Sequence, residues 1–87
     1  MIQTGCFAQS LLGDFYRDGD GVEQSYEQAL YWYKKAAENE KDGYAEYNLG
    51  RIYCDVENDY EQGKSWFIKA SAKGYEKAKE WLAERGL

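Results

Sequence analysis

Residues 17–27, RDGDGVEQSYE, come nearest to a metal loop in residue type and spacing. Asp18, Asp20, Gly21 and Glu27 fall in register with the acids, the turn glycine and the closing glutamate of a helix-loop-helix calcium site. The register fails elsewhere. The first ligand position is Tyr16, which has no carboxylate, and the normally apolar eighth position is Glu23. Other chemistry is sparse. The chain has no His, the commonest general base and metal ligand near neutral pH. Cys6 and Cys54 have neither a C-x-x-C spacing nor His partners, which argues against zinc. Catalysis would have to rest on Cys54 or on chance pairs among 16 Asp and Glu, and nothing forms a triad or a phosphate loop. The expectation is no catalytic residue, no metal and no cofactor.

Tyr16 and Glu27 have a different explanation, because both recur. AQSLLGDFY at 8–16 matches AEYNLGRIY at 45–53, with Ala8, Leu12, Gly13 and Tyr16 returning as Ala45, Leu49, Gly50 and Tyr53. YEQALYWYKKA at 26–36 matches YEQGKSWFIKA at 60–70, with Tyr26, Glu27, Gln28, Trp32, Lys35 and Ala36 returning and Phe67 replacing Tyr33. The offset is 37 residues in the first block and 34 in the second, so the first connector is three residues longer. Ala78 and Leu82 begin a third, partial copy.

Inside each copy the period is helical. Ala8, Leu12 and Phe15/Tyr16 share one face, and Ala29, Trp32, Tyr33 and Ala36 share another. Ser25 with Gln28, and Asn58 with Glu61, have the spacing of a capping box. These signals place helices near 4–17, 24–38, 43–55, 59–73 and 75–85. The opening stretch becomes the turn between the first two, with Gly19 and Gly21 supplying backbone angles that other residues disfavour.

The pattern A-x3-LG-x2-Y, then DGDGV, then YEQA-x2-WYKKAA resembles the Sel-1-like repeat, a relative of the tetratricopeptide repeat. The resemblance runs from about Ala8 to about Ala83. A tetratricopeptide repeat would have Trp three residues before the Leu, where this chain has Gln9 and Glu46. The resemblance implies an all-α fold: a short α-α superhelix of about two and a half helix-turn-helix repeats with five helices. It implies one domain over 1–87, with repeat one at about 4–38, repeat two at about 43–73 and a capping partial repeat at about 75–87. It also implies a protein-interaction module, since members act as adaptors in assemblies, secretion-linked quality control and bacterial signalling or host contact. A purely structural, self-associating module or a fragment of a longer repeat protein is the alternative. A small enzyme using carboxylates is a remote one.

Composition agrees with this. The chain is 44% hydrophobic and 17% aromatic, too apolar for a disordered segment, and it has no Pro to interrupt helices. A net charge of −5 disfavours nucleic acid and anionic membrane surfaces. No apolar run reaches the length of a membrane span and no secretory signal is seen, so the expected location is the cytoplasm.

In such a solenoid the first helix of each pair builds the inner wall, which receives a peptide or a partner helix. Helical spacing beside Leu49 selects Asn48, Arg51 and Asp55, with Leu11, Asp14 and Asp18 as equivalents in the first copy and Trp81 and Glu84 in the third. Asn48 and Arg51 are expected to be exposed. In the related tetratricopeptide family such residues clamp a peptide carboxylate, and here Asp14 could pair with Arg51 across the wall. Gly13 and Gly50 are expected to admit a neighbouring helix, and Trp32 and Trp66 to fill the seam. Ile2, Phe7 and Leu11 form an apolar N-terminal surface suited to a homodimer or to a preceding repeat. Cys6 and Cys54 are expected to be unbridged, since the repeat register separates them by about 16 Å along the helix axes.

Overall fold

The computed structural model describes residues 6–86, with side chains from residue 8 onward. Five helices follow one another: α1 (Cys6–Asp18), α2 (Tyr26–Asn39), α3 (Tyr44–Asp55), α4 (Tyr60–Ala72) and α5 (Glu76–Glu84). Each packs chiefly on its neighbours in sequence, α1 on α2, α2 on α3, α3 on α4 and α4 on α5. The result is an elongated stack of 44 × 25 × 16 Å.

The helix starts follow from local chemistry. Ser25 caps α2, its Oγ accepting from Gln28 N at 3.2 Å. In the second copy the cap falls one residue beyond the expected Asn58. Asp59 Oδ1 accepts from Gln62 N at 3.1 Å, and Asn58 instead takes the left-handed backbone at φ 57°. Asn tolerates that region better than most residues, so it replaces the glycines that the shorter connector has lost. The longer connector turns on Gly19 at φ 70° and Gly21 at φ 80°. Despite their different lengths, equivalent hydrogen bonds close both connectors. Ser25 N donates to Tyr16 O at 2.9 Å, and Asp59 N donates to Tyr53 O at 2.7 Å.

Gly13 and Gly50 act as expected, and they identify the rings that use the space. A Cβ on Gly13 would stand 2.7 Å from the Tyr33 ring, and one on Gly50 would stand 2.9 Å from the Phe67 ring. Tyr33 and Phe67 are accordingly fully buried, with Leu49 the other large side chain wholly inside. Trp32 and Trp66 are only half-buried, which corrects their placement as the seam. One residue along a helix turns the side chain by about 100°, and the ring facing the glycine is the next one on. Trp66 still covers the edge of the first core, and Lys69 Nζ lies 4.3 Å from its ring centroid.

Two cores result. The first gathers Ala29, Tyr33, Ala36, Ala45, Leu49, Ile52 and Tyr53. The second is Phe67, Ala70 and Ala78, covered by Tyr47, Cys54, Tyr75, Trp81 and Leu82. Lys73 joins the two hairpins. Its Nζ donates to Ala37 O at 3.1 Å and to Glu40 O at 2.6 Å, satisfying carbonyls at the end of α2, and pairs with the buried Glu46 carboxylate at 2.8 Å.

Candidate functional site

The wall built by α1 and α3 is held by polar side chains that cross from one repeat to the next. Asp14 on α1 accepts hydrogen bonds from Tyr33 Oη on α2 and from Tyr44 Oη, the latter at 2.9 Å to each carboxylate oxygen. Arg17 Nη1 lies 3.4 Å from Asp14 Oδ1 and donates to Asn48 Oδ1 at 2.5 Å. Arg17 also grips Asp18 through Nε at 2.9 Å and Nη2 at 3.0 Å. Asn48 Nδ2 donates to Tyr44 O at 3.0 Å. Each shift in proton affinity has a local cause. The hydrogen bond to Asp18 raises Arg17, and the same bond lowers Asp18. Burial raises the Tyr33 and Tyr44 phenols, and the Asp14 carboxylate adds to the effect. These groups therefore keep fixed charge states near neutral pH and act as struts.

At the entrance to α3, acids replace an N-cap hydroxyl. Glu40 Oε1 accepts from Ala45 N at 2.7 Å, and Asp42 Oδ1 accepts from Tyr44 N at 3.0 Å. Both carboxyls stand where the helix N-terminus favours negative charge. Ser10 Oγ donates to Glu40 Oε2 at 3.1 Å. Burial nevertheless pushes Glu40 up to about 7, helped by the Asp42 carboxyl beside it. Asp42 is lowered by its hydrogen bonding with Glu40.

Two hollows open along this wall. One, of ≈ 470 Å³, lies at the connector end of α1 and α3. Arg17 and Asn48 are among its walls, Asp18, Arg51 and Asp55 stand around it, and Tyr26 and Val56 supply apolar surface beside the buried Ile52. The other, of ≈ 600 Å³, lies at the opposite end between Leu11, Asp14, Glu40, Asp42 and Tyr44.

The residues selected from sequence thus separate. Arg51 is exposed, its guanidinium 5.9 Å from the Tyr47 ring centroid, and shares the first hollow with Asp18, Asp55 and Asn48. Asn48 is only 2% exposed, which overturns its expected exposure, because Arg17 and the Tyr44 carbonyl occupy its amide. Asp14 does not reach Arg51: Arg17, one turn along its own helix, and the two phenols take it. Leu11 is exposed at 40% and borders the second hollow. Trp81 does not face the wall. It stacks on Phe67, ring centroids 4.0 Å apart, and belongs to the second core. Glu84 is exposed and lies 3.7 Å from Arg85. Ile2 and the Phe7 side chain lie outside the described residues.

Sequence reasoning missed Arg17, because its repeat equivalent is Cys54 and the recurrence that marks the other positions is absent there. It also missed Glu40 and Asp42, although acids just ahead of a helix start are a legible sign. Among the described residues no group of three His, Cys, Asp or Glu is placed to hold a metal ion. Cys54 has a free thiol, with the Cys6 side chain outside the described residues. Burial and the neighbouring Asp55 raise the Cys54 thiol, which makes it a poor nucleophile at neutral pH. No helix among the described residues is long and apolar enough to cross a membrane.

The family model described as Sel1 repeat matches residues 6–40 and again residues 43–75. Neither the curated proteins nor the solved structures contain a match to the chain.

Proposed function

Because the chain belongs to the Sel1 repeat family, whose repeats generally mediate protein–protein interaction, we propose that it is a scaffold or adaptor receiving a peptide or partner helix on the α1/α3 wall. The observation that carries this reading is the open hollow at the connector end, where Arg51, Asp18 and Asp55 surround apolar surface from Tyr26 and Val56. Val56 is 38% exposed. A mixed surface of this kind offers a partner both area to bury and polar groups to fix its register. The protein is not an enzyme in this reading. Its polar wall is spent on cross-repeat struts, and its described cysteine is held as a thiol. Nor does it bind nucleic acid or a membrane surface, in keeping with its acidity, and its place is the cytoplasm.

Panning a random peptide library on the folded protein, then mapping a binder by amide chemical shifts, tests this. Shifts should cluster on Arg51, Ile52, Asp55 and Val56. Failure to recover any binder, or shifts confined to the outer sides of α2 and α4, would reject it.

A second reading, a homodimer through α1, is favoured by one comparison between repeats. On α3 the seam residues Ala45 and Asn48 are buried, at 0% and 2% exposure, the first among α2 residues of the core and the second under Arg17 of α1. Their equivalents on α1, Ala8 and Leu11, are exposed. Sedimentation at rising concentration decides it: a monomer throughout would remove the dimer.

A further inference from the structure

Charge is unevenly spread over this chain. Residues 18–27 and 55–61 contain eight of its 16 acids and none of its 11 Lys and Arg, so within a net −5 they carry −8 and the remainder carries +3. These segments are the connectors from α1 to α2 and from α3 to α4 with the helix ends beside them, and the repeat brings them to one edge of the stack.

Folding accounts for part of this. Glu27 and Glu61 lie in the first turns of α2 and α4, and Asp59 is the cap of α4, where a negative charge is favoured. Asp18 and Asp55 have no such excuse. Each is the last residue of its helix, the end at which the helix dipole opposes a carboxylate. They are repeat equivalents, 37 positions apart, and both line the hollow at the connector end. Asp18 has Arg17 as its partner, whereas Asp55 has no ion-pair partner among the described residues. The exposed Asp20, Glu23 and Glu57 on the same edge are also without one. The Asn48 amide is already used on both sides, so Arg51 alone is left to meet a carboxylate in a strongly acidic setting.

Resting on the interaction reading above, we infer that the occupant of this hollow is a basic segment of a partner protein in which an apolar residue sits between Lys or Arg residues. The cationic side chains meet Asp18 and Asp55, and the apolar one covers Tyr26 and Val56. Complementary charge of this kind speeds encounter and selects against acidic partners.

Three synthetic peptides of equal length test the inference by fluorescence anisotropy: one alternating Lys with Leu, one with Glu in place of Lys, and one with Ser in place of Leu. The Lys–Leu peptide should bind roughly tenfold or more tighter than the other two, a difference of about 1.4 kcal/mol or more. Its affinity should fall as salt rises from about 50 to about 300 mM, as screening of exposed charges requires. D55N, and more so D18N/D55N, should weaken it, with circular dichroism confirming that each variant is folded. Equal binding of the Glu peptide overturns the inference. So does equal binding of the Ser peptide, which reduces the attraction to diffuse charge, and so does unchanged affinity in folded D18N/D55N. Library panning separates the two levels. Binders that seat in the hollow without net positive charge sink the basic partner and leave the interaction reading standing, whereas absence of any binder sinks both.

Discussion

Arg17 reaches from the first repeat into the second, its Nη1 2.5 Å from Oδ1 of Asn48. Asn48 is therefore part of the fold. Asn48→Ala would leave part of the Arg17 guanidinium without a partner and remove the bond to the Tyr44 carbonyl. Hydrogen bonds to charged groups contribute roughly 1.5–3 kcal/mol. In a domain of this size about 1 kcal/mol moves the Tm by roughly 4–8 °C. Asn48→Ala should lower the Tm by several degrees or more, whereas Arg51→Ala, three residues on and exposed, should leave it nearly unchanged. Thermal melts of the two variants check this, and equal Tm values would show that the Arg17–Asn48 contact carries no stability.

Gly63 behaves opposite to its helix propensity. In a helix interior Gly costs about 1 kcal/mol relative to Ala, and the first repeat has Ala29 at this place. Yet a Cβ on Gly63 would lie 2.2 Å from Cys54 Sγ and 2.9 Å from Gly50 O. The first repeat has Arg17 where the second has Cys54, and its side chain leaves the seam for Asn48. Gly63→Ala should destabilise by roughly 1–3 kcal/mol through overpacking. Adding Cys54→Ala should recover part of the loss and not all of it, since the Gly50 carbonyl stays in place. Denaturant midpoints of the single and double variants measure both effects, and a stabilised Gly63→Ala would show that the helices can move apart at no cost.

Trp81 belongs with the core despite its position on a first helix. It stacks on Phe67, with Arg85 3.9 Å from its ring centroid on the other side of the pair, and Tyr60 lies 5.8 Å away. Trp81→Ala should cost roughly 2–4 kcal/mol, toward the lower part of the range for buried aromatics because the ring is only half covered. Peptide affinity at the connector-end hollow, measured on the fraction that remains folded, should not change. Lost binding without lost stability would return Trp81 to the wall.

What could be read from the sequence divides along physical lines. Helix number, the Gly13 and Gly50 contacts and the Ser25 cap depend on spacing within one or two turns, and recurrence at 37 and 34 residues reinforced the first two. The side chains on the wall could not be placed in the same way. Whether Asn48 points outward depends on Arg17, a residue 31 positions away whose repeat equivalent is Cys54. Which of two adjacent aromatics, Trp32 or Tyr33, enters the seam depends on about 100° of helix rotation. The displaced cap, Asp59 in place of Asn58, turned on a left-handed residue needed to close a connector three residues shorter. Periodicity reports which side of a helix is apolar. It does not report which polar groups reach across to the next helix.

Glu40 makes stability depend on pH. It is buried, and its carboxyl is raised from the ordinary 4.5 to about 7, mainly by burial, against the hydrogen bonds from Ala45 N and Ser10 Oγ. Between those two values the folded chain holds a proton that the unfolded chain has released. Stability therefore falls as pH rises through this window, and Glu40's contribution is fully present only below about 4.5. Asp42 acts in the opposite sense and lower down. Its lowered pKa gives stability that is present above the ordinary 3.8 and lost as pH falls below it. Glu40→Gln keeps an oxygen for the Ala45 N–H, lets the Ser10 hydroxyl turn to accept from the amide, and cannot ionise. It should flatten the dependence between about pH 4.5 and 7, and at pH 7.5 it should match or exceed the parent, by on the order of 2 kcal/mol at most. Urea midpoints of the two proteins at several pH values provide the measurement, and a parent that gains stability from pH 5 to pH 7 would contradict the sign.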